Sequence, residues 1–435
     1  MDLLRVDREV EVAVRALERW RIRLAAGDAG ALASSPLEAH RAVAGKRARD
    51  ELTLRPPSAH ELPLRDALLP WIEELTVVRV SRDQDVALAE AYVKDTTPVR
   101  LTVPTKATAR QLVHGVLASR SAPEAALHLD ALAKLGARLR DAEKTRAELR
   151  RELYLRLDID DPTSRFVVPR AALEGALAAF LDASDDVARE LMRKKGREKL
   201  PLALDLSLAR DAKEGWPTKL GPRWFADLFG KHTRGLTLQL PPLPDAVGAS
   251  SFALALHRFG SALRRASSGR GVPFALRDRV RFVDAHRHGA LFASLLVSEP
   301  FHRRALGVGA QVADAQARAL GIALLFAARR IAGRFLVTRG RAFDELSERM
   351  FGEALPPALV GTLLRPAEDD DALATALLTT VPLADELRDR FDDDWFRSPR
   401  AFEHLRARST VPSAEAEPTK ESALRLARYF EGLVR

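Results

Sequence analysis

The chain has 435 residues, and its 69 Lys and Arg residues against 60 Asp and Glu residues give a formal net charge of +9. It contains no cysteine, which excludes disulfides and thiolate metal sites. Hydrophobic residues make up 46 % of the chain, enough for a buried core, so a disordered protein is excluded. The N-terminus carries frequent charges and no uncharged apolar run of about 18 residues occurs, so we expect a cytoplasmic protein without a membrane span.

Apolar residues recur at three- and four-residue steps through most of the chain, which predicts an all-α, mainly helical fold. The opening helix carries a clear stripe of this kind, formed by Leu3, Val6, Val10, Val14, Leu17 and Trp20. Ser35 followed by Pro36 predicts a helix start. Further helices are predicted around residues 60–80, 82–94, 105–120, 122–157, 165–195 and 250–266.

Two breaks in the helical pattern predict the domain organisation. The first lies at residues 158–162, and the second is the Pro/Ser/Glu segment 411–419. We therefore predict an N-terminal helical region over residues 1–160, a helical core over 161–410, and a linker with a C-terminal helix over 411–435. Within the core, residues 235–240 alternate apolar and polar side chains, which predicts a short strand and a small sheet near residues 235–248.

One helix of the second half holds a histidine in an apolar frame, Leu256-His257-Arg258-Phe259-Gly260-Ser261-Ala262-Leu263-Arg264. His286 follows Ser261 by 286 − 261 = 25 residues, just ahead of Leu291-Phe292-Ala293. This arrangement resembles the thimet oligopeptidase and oligoendopeptidase F family of zinc peptidases, over about residues 220–405. In that family the helix reads like LHEFGHALH, and a Glu at the start of a later helix is the third zinc ligand.

The resemblance implies a gluzincin-like peptidase core with a small β remnant. It assigns His257 to the first zinc ligand, Arg258 to the general-base Glu, Ser261 to the second His, and His286 to the Glu ligand. A catalytic zinc needs three protein ligands, and Ser261 is a poor zinc donor. The Arg258 guanidinium repels a divalent cation and cannot take a proton from water. We therefore predict no catalytic residue, no metal and no cofactor, and a vestigial cleft formed by His257, Arg258, Ser261 and His286.

Helical geometry places His257 and Ser261 on one stripe with Arg264 or Arg265. The opposite, core-facing stripe holds Phe252, Leu256, Phe259 and Leu263. Three interpretations of His257 stay open at this point. It is a core histidine hydrogen-bonded to a backbone carbonyl or to Ser261, or part of a remnant ligand-binding cleft, or a surviving metal ligand.

The replacements in this motif run toward positive charge, which suggests a second kind of site. Arg258, Arg265 and His286 are candidate anion-binding residues for a carboxylate or phosphate, because Arg binds such groups bidentately. Neutral drift in an arginine-rich genome explains the same replacements. His286 and His288 lie two residues apart and do not face together on a helix, so they predict a basic patch at a helix start rather than a metal pair.

The function predicted from these residues is that of a pseudopeptidase, which binds a peptide or protein partner or serves as a scaffold. One alternative is an atypical metal-dependent peptidase that uses His257, His286 and an acidic residue distant in sequence. Another is a basic nucleic-acid-associated protein, which a sequence pI near 10.0 keeps open. We do not expect a nucleic-acid partner, because the basic segments lack interleaved aromatic residues and a helix-turn-helix signature.

Overall fold

A computed structural model gives the fold of the protein. It describes residues 2–54, 57–99, 105–119, 121–159, 170–195, 208, 212–217, 221–241, 243, 249–269, 271–280, 282–364, 369–410 and 418–434. Helices account for most of these residues, which confirms the predicted mainly α fold class. Among the helices described, none is both long enough and apolar enough to cross a bilayer.

Helices α1 to α7 form the N-terminal part of the protein. They are α1 (Leu3–Ala25), α2 (Ala29–Ala33), α3 (Lys46–Leu54), α4 (Leu62–Val80), α5 (Arg82–Lys94), α6 (Ala109–Ala118) and α7 (Ala122–Leu155). The predicted start at Pro36 is a short 3-10 helix, Pro36–His40, in which Ser35 Oγ accepts a hydrogen bond from the Leu37 N–H. Helix α5 has the bounds that its sequence pattern predicts.

Helices α8 to α19 form the remainder. They are α8 (Arg170–Lys195), α9 (Pro222–Phe229), α10 (Ala249–Ser267), α11 (Phe274–Arg277), α12 (Val283–Ala293), α13 (Glu299–Arg304), α14 (Ala310–Thr338), α15 (Phe343–Phe351), α16 (Val360–Leu363), α17 (Asp370–Phe391), α18 (Pro399–Thr410) and α19 (Lys420–Val434). The predicted domain boundary near residue 160 and the predicted linker fall largely on residues 160–169 and 411–417, outside the described ranges. The three-part division of the chain therefore stays a prediction.

The sheet lies elsewhere than the sequence predicts. Strands β1 (Thr96–Val99) and β2 (Thr105–Thr108) pair antiparallel, with Thr96 opposite Thr108. The strand predicted at residues 235–240 is wrong, since these residues belong to no helix and to no sheet. The alternation has another cause: leucines 236, 238 and 240 pack against the core, and the two residues between them are exposed.

Buried apolar side chains form three large clusters. One joins α1 and α4 to Phe274 and Ala275 of α11. The second lies among α9, α10, α12 and α18, and the third among α7, α8, α14, α17 and α19. A cleft lies between α1 and α10. Of the four residues predicted to form a vestigial cleft, His286 lines it, and the predicted site itself stays a prediction.

Three hydrogen-bonded contacts hold the N-terminal helices to the segment between α10 and α12. The buried Asp7 carboxylate accepts bonds from the backbone N–H groups of Phe274 (2.7 Å) and Ala275 (2.8 Å). Glu11 pairs with Arg277 at 2.7 Å. The indole N–H of Trp71 donates to the Asp278 carbonyl at 2.8 Å. The cleft is therefore closed at one end by specific long-range contacts.

Candidate functional site

Helix α10 presents the two faces that its spacing predicts. Phe252, Leu256, Phe259 and Leu263 are each at most 1 % exposed. Phe259 stacks on Phe225 and Phe229 of α9, with ring centroids 5.2 and 4.6 Å away. The opposite face turns His257 and Ser261 toward α12, so the apolar frame of the motif fixes the position of the site.

Helices α10 and α12 cross at two glycines. A Cβ on Gly260 would lie 2.3 Å from the His288 carbonyl oxygen. A Cβ on Gly289 would lie 2.7 Å from both His257 Nε2 and Ser261 Oγ. Such distances are far below van der Waals contact, so only glycine permits this crossing. The close approach brings His257 and Ser261 against the helix that carries His286.

His257 and His286 meet across this crossing, with ring centroids 5.5 Å apart. His286 Nε2 lies 3.5 Å from Oδ2 of Asp369, just before the start of α17. The structure thus adds a carboxylate from a distant part of the sequence to the predicted pair of histidines. Asp369 is half-exposed, so it connects the histidines to the solvent of the cleft.

One interpretation of His257 is a core histidine hydrogen-bonded to Ser261. That hydrogen bond is not formed. Ser261 Oγ instead donates to the Ala285 carbonyl at 2.8 Å, which joins α10 to α12. His257 Nε2 is buried, and within the described part of the chain it has no hydrogen-bond partner. Burial, together with the nearby His286, lowers the pKa of His257 to about 3. His257 is therefore neutral at physiological pH.

The basic residues His286-Arg287-His288 lie near the start of a helix, as predicted, but two of the three are buried. Arg287 and His288 are buried, and the His288 Nδ1–H donates to the Asp284 carbonyl at 2.9 Å. The Asp284 carboxylate bonds to both Arg264 and Arg287. Although burial opposes it, the positive groups around Asp284 lower its pKa to about 2. The basic residues are buried because one carboxylate neutralises them. As predicted, His286 and His288 point to different partners.

Of the three candidate anion-binding residues, Arg265 and His286 line the same cavity of the cleft, and Arg258 does not. Arg265 lies in the cleft wall, where its Nε is 2.9 Å from Oδ2 of Asp278. Arg258 is half-buried on the same helix but lines neither of the two cavities of the cleft. Burial lowers the pKa of the Arg258 guanidinium. Since an acidic neighbour already pairs with Arg265, anion binding by Arg258, Arg265 and His286 stays a prediction.

Two cavities occupy the cleft between α1 and α10. The inner cavity, of about 510 Å³, extends past His286 and Asp369 to the far end of α1. The edge cavity, of about 460 Å³, runs along residues 237–241. Both have the size of typical ligand pockets. Val14, Glu18 and Arg265 line both cavities, so the two meet at these three side chains, which we call the neck.

The extended segment beside the edge cavity has unpaired backbone groups. Thr237 and Gln239 are exposed and line this cavity. In the part of the chain that the structure describes, the backbone N–H and C=O groups of residues 237–240 make no hydrogen bond. The alternation of packed leucines with exposed residues over 236–240 is that of an extended chain. An extended segment with free backbone groups has the properties of an open sheet edge, which can pair with another extended chain.

The residues at the motif do not fit a catalytic zinc. Ser261, in the position of the second histidine, uses its hydroxyl to bond Ala285. Across the described ranges, no three His, Asp or Glu side chains converge in an arrangement that could hold a metal ion. A catalytic zinc requires three such ligands. Here His257 lies beside His286, and the Asp369 carboxylate contacts His286 but completes no set of three.

Comparison with solved structures finds the same fold in the crystal structure of a "putative peptidase from Chlamydophila abortus". The alignment covers 92 % of this chain and 83 % of that chain, with a TM-score of 0.54 and 10 % sequence identity. This chain has a peptidase-like fold. No protein-family model and no curated protein matches its sequence. At 10 % identity the likeness extends to the fold alone, so the particular peptidase family stays a prediction.

Sequence reasoning missed three residues of the cleft: Asp7, Glu18 and Asp369. Asp7 bonds to a residue 267 positions away, and no local pattern predicts such a contact. Glu18 lies on the polar side of the α1 stripe, where an exposed carboxylate is ordinary. Asp369 belongs to an acidic run that is typical of a helix start. Each gains its position only from tertiary packing, of α1 against α4 and α11 and of α17 against α12.

Proposed function

We propose that this protein is a non-catalytic relative of peptidases, which binds a peptide or an extended segment of a partner protein. The ligand would lie in the edge cavity between α1 and α10. The observation that carries this proposal is the extended segment 237–240, whose backbone groups are unpaired among the described residues and whose exposed side chains line that cavity. A free backbone edge recognises the main chain of its ligand and tolerates many side chains.

We propose that the protein does not cleave its ligand, because two residues of the motif cannot take part in hydrolysis. The general-base position holds Arg258, which cannot accept a proton from water. Ser261, at the second ligand position, is committed to a backbone carbonyl. The peptidase-like fold supports a cleft of the right kind, and the motif supports binding without hydrolysis.

A binding experiment with backbone-modified peptides tests this proposal. The probe is a capped octapeptide of alternating Val and Thr with a fluorescent label, measured by fluorescence anisotropy. A strand edge bonds only every second residue of its partner. N-methylation of one alternate set of amides should therefore abolish binding, and N-methylation of the other set should be tolerated. Mass spectrometry should recover the bound peptide uncut.

Two results would overturn the proposal. The first is no binding of the parent peptide, and the second is equal binding of both N-methylated forms, which would show that backbone pairing is not used. Cleavage of the peptide would contradict the non-catalytic part alone. The metal-dependent alternative gains little from His286 and Asp369, because a third ligand beside His257 is lacking among the described residues.

A further inference from the structure

The inner cavity has more aromatic residues in its wall than the edge cavity. Trp20, Trp71, Tyr92 and Phe282 line it, beside nearly as many charged side chains as apolar ones, whereas Phe274 is the aromatic residue of the edge cavity. Both indole N–H groups are already used, since Trp20 donates to the Ala31 carbonyl and Trp71 to the Asp278 carbonyl, each at 2.8 Å. These tryptophans therefore offer carbon surface rather than hydrogen bonds to a ligand.

Most charged groups in this wall are matched with one another. Two such pairs are Arg21 with Glu74 at 3.3 Å and Arg146 with Asp85 at 3.2 Å. Burial lowers the pKa of His286, so its contact with Asp369 at 3.5 Å leaves that half-exposed carboxylate charged. The neck residue Arg265 pairs with Asp278 at 2.9 Å. A charge that already has a partner gains little from a charged ligand, which must lose its hydration to enter. The aromatic part of the wall, which carries no charge, is suited to an apolar group.

From this we infer that the inner cavity is the specificity pocket of the peptide site, and that it takes one bulky apolar side chain, preferably aromatic. The inference rests on the proposed function, because the side chain belongs to a peptide whose backbone lies along residues 237–240. The side chain passes the neck of Val14, Glu18 and Arg265, where the two cavities meet. Burial of an aromatic side chain in an apolar pocket is a large favourable term in binding.

Glu18 gives the neck its selectivity. Burial raises the pKa of Glu18, and the charge of Arg265 opposes this rise. A charged side chain of either sign meets one like charge and one opposite charge at the neck, so no net attraction offsets the hydration that it loses on entry. An apolar ring carries no such cost.

The test uses peptides that differ at one end. Capped alternating Val–Thr octapeptides carry Trp at the first or the last position, and the reference peptide carries Gly at both. We expect Trp at one of the two ends to tighten binding at least tenfold over the Gly peptide, measured by fluorescence anisotropy. Asp or Lys at that same end should give no gain.

Two variants locate the effect. Ala25 is exposed and lines the inner cavity, so Ala25→Trp fills the cavity without overpacking the core. It should remove the gain from the Trp peptide and leave binding of the Gly peptide unchanged. The matched control is Ala26→Trp, at an exposed neighbour that lines neither cavity, and it should keep the gain. Glu18→Trp, at the neck, should also remove the gain from the Trp peptide.

The outcomes separate this inference from the proposed function. If the Gly peptide binds but Trp at neither end tightens binding, the specificity pocket is wrong and the peptide site stands. The pocket is equally contradicted if Ala25→Trp leaves the tenfold gain intact. If no peptide binds, the proposed function fails and this inference fails with it.

Discussion

The Asp7 carboxylate accepts a hydrogen bond of 2.7 Å from the backbone N–H of Phe274, although 267 residues separate the two in sequence. A second bond, to the N–H of Ala275, makes Asp7 the cap of α11. Both backbone groups belong to buried residues, so water cannot replace the carboxylate. This cap ties the N-terminal helix to the loop that joins α10 and α12.

Removal of this cap should destabilise the protein markedly. Asp7→Ala leaves two buried N–H groups unpaired, and we expect a loss of about 3 kcal/mol in the free energy of unfolding. Urea denaturation measures this loss. The matched control is Asp2→Ala, which removes an exposed cap within α1 and should cost about 0.5–1 kcal/mol. Equal losses for the two variants would contradict the role given to Asp7.

The glycine crossing predicts an order among three Gly→Ala variants. Gly260→Ala places a Cβ against the His288 backbone, which cannot move, and should cost more than about 2 kcal/mol. Gly289→Ala meets the side chains of His257 and Ser261, which can shift, and should cost less. Gly175→Ala, within α8 and with nothing near its Cβ, should stabilise by about 0.5–1 kcal/mol. Thermal unfolding gives the order, and a harmless Gly260→Ala would refute the close crossing.

The buried charge cluster around Asp284 should be costly to break. Asp284→Ala leaves Arg264 and Arg287 buried without their shared carboxylate, and removal of one partner from a buried pair costs about 3–5 kcal/mol. The control is Asp186→Ala, which removes an exposed partner of Arg189 and should cost less than about 1 kcal/mol. Denaturant titration of both variants tests this difference. A small loss for Asp284→Ala would mean that the cluster is solvated in solution.

Buried histidines should make stability fall in mild acid. Burial lowers the pKa of His288 from its ordinary value near 6.5 to about 4. Below about pH 6.5 the unfolded chain takes up a proton that the folded chain does not, so folding weakens until the pH reaches about 4. His288 alone should contribute a loss of about 2 kcal/mol between pH 7 and pH 5. In the variant His288→Leu this part of the pH dependence should disappear, and an unchanged pH profile would contradict it.

Local patterns predict the elements that depend on local sequence. The apolar stripe of α10 and the bounds of α5 follow from helical spacing, because each apolar face needs only some neighbour to cover it. The alternation at residues 235–240 is misleading, since leucines that pack on one side produce the same pattern as a strand. The true strands contain threonines and Pro98 and carry no apolar alternation, so no periodic pattern indicates them.

The sequence predicts the motif helix of the candidate site, but it does not predict which residues surround that helix. The apolar spacing around His257 predicts its helix, and the structure places His286 on a second helix that crosses it. The partners of these helices come from remote segments: Asp369 from the start of α17, and Glu18 from α1. Whether Arg265 has an acidic neighbour depends on Asp278, which lies beside it only after the α10–α12 loop folds back. Contacts of this kind follow from the three-dimensional packing rather than from any sequence spacing.

The motif helices should no longer perform zinc peptidase chemistry. The most direct test is metal analysis by plasma mass spectrometry on protein purified without chelator, together with a quenched-fluorescent peptide library. We predict zinc well below one ion per chain and no cleavage above the level of an Arg258→Ala variant. About one zinc per chain, with cleavage that a chelator abolishes, would contradict this prediction and make His257 and His286 metal ligands.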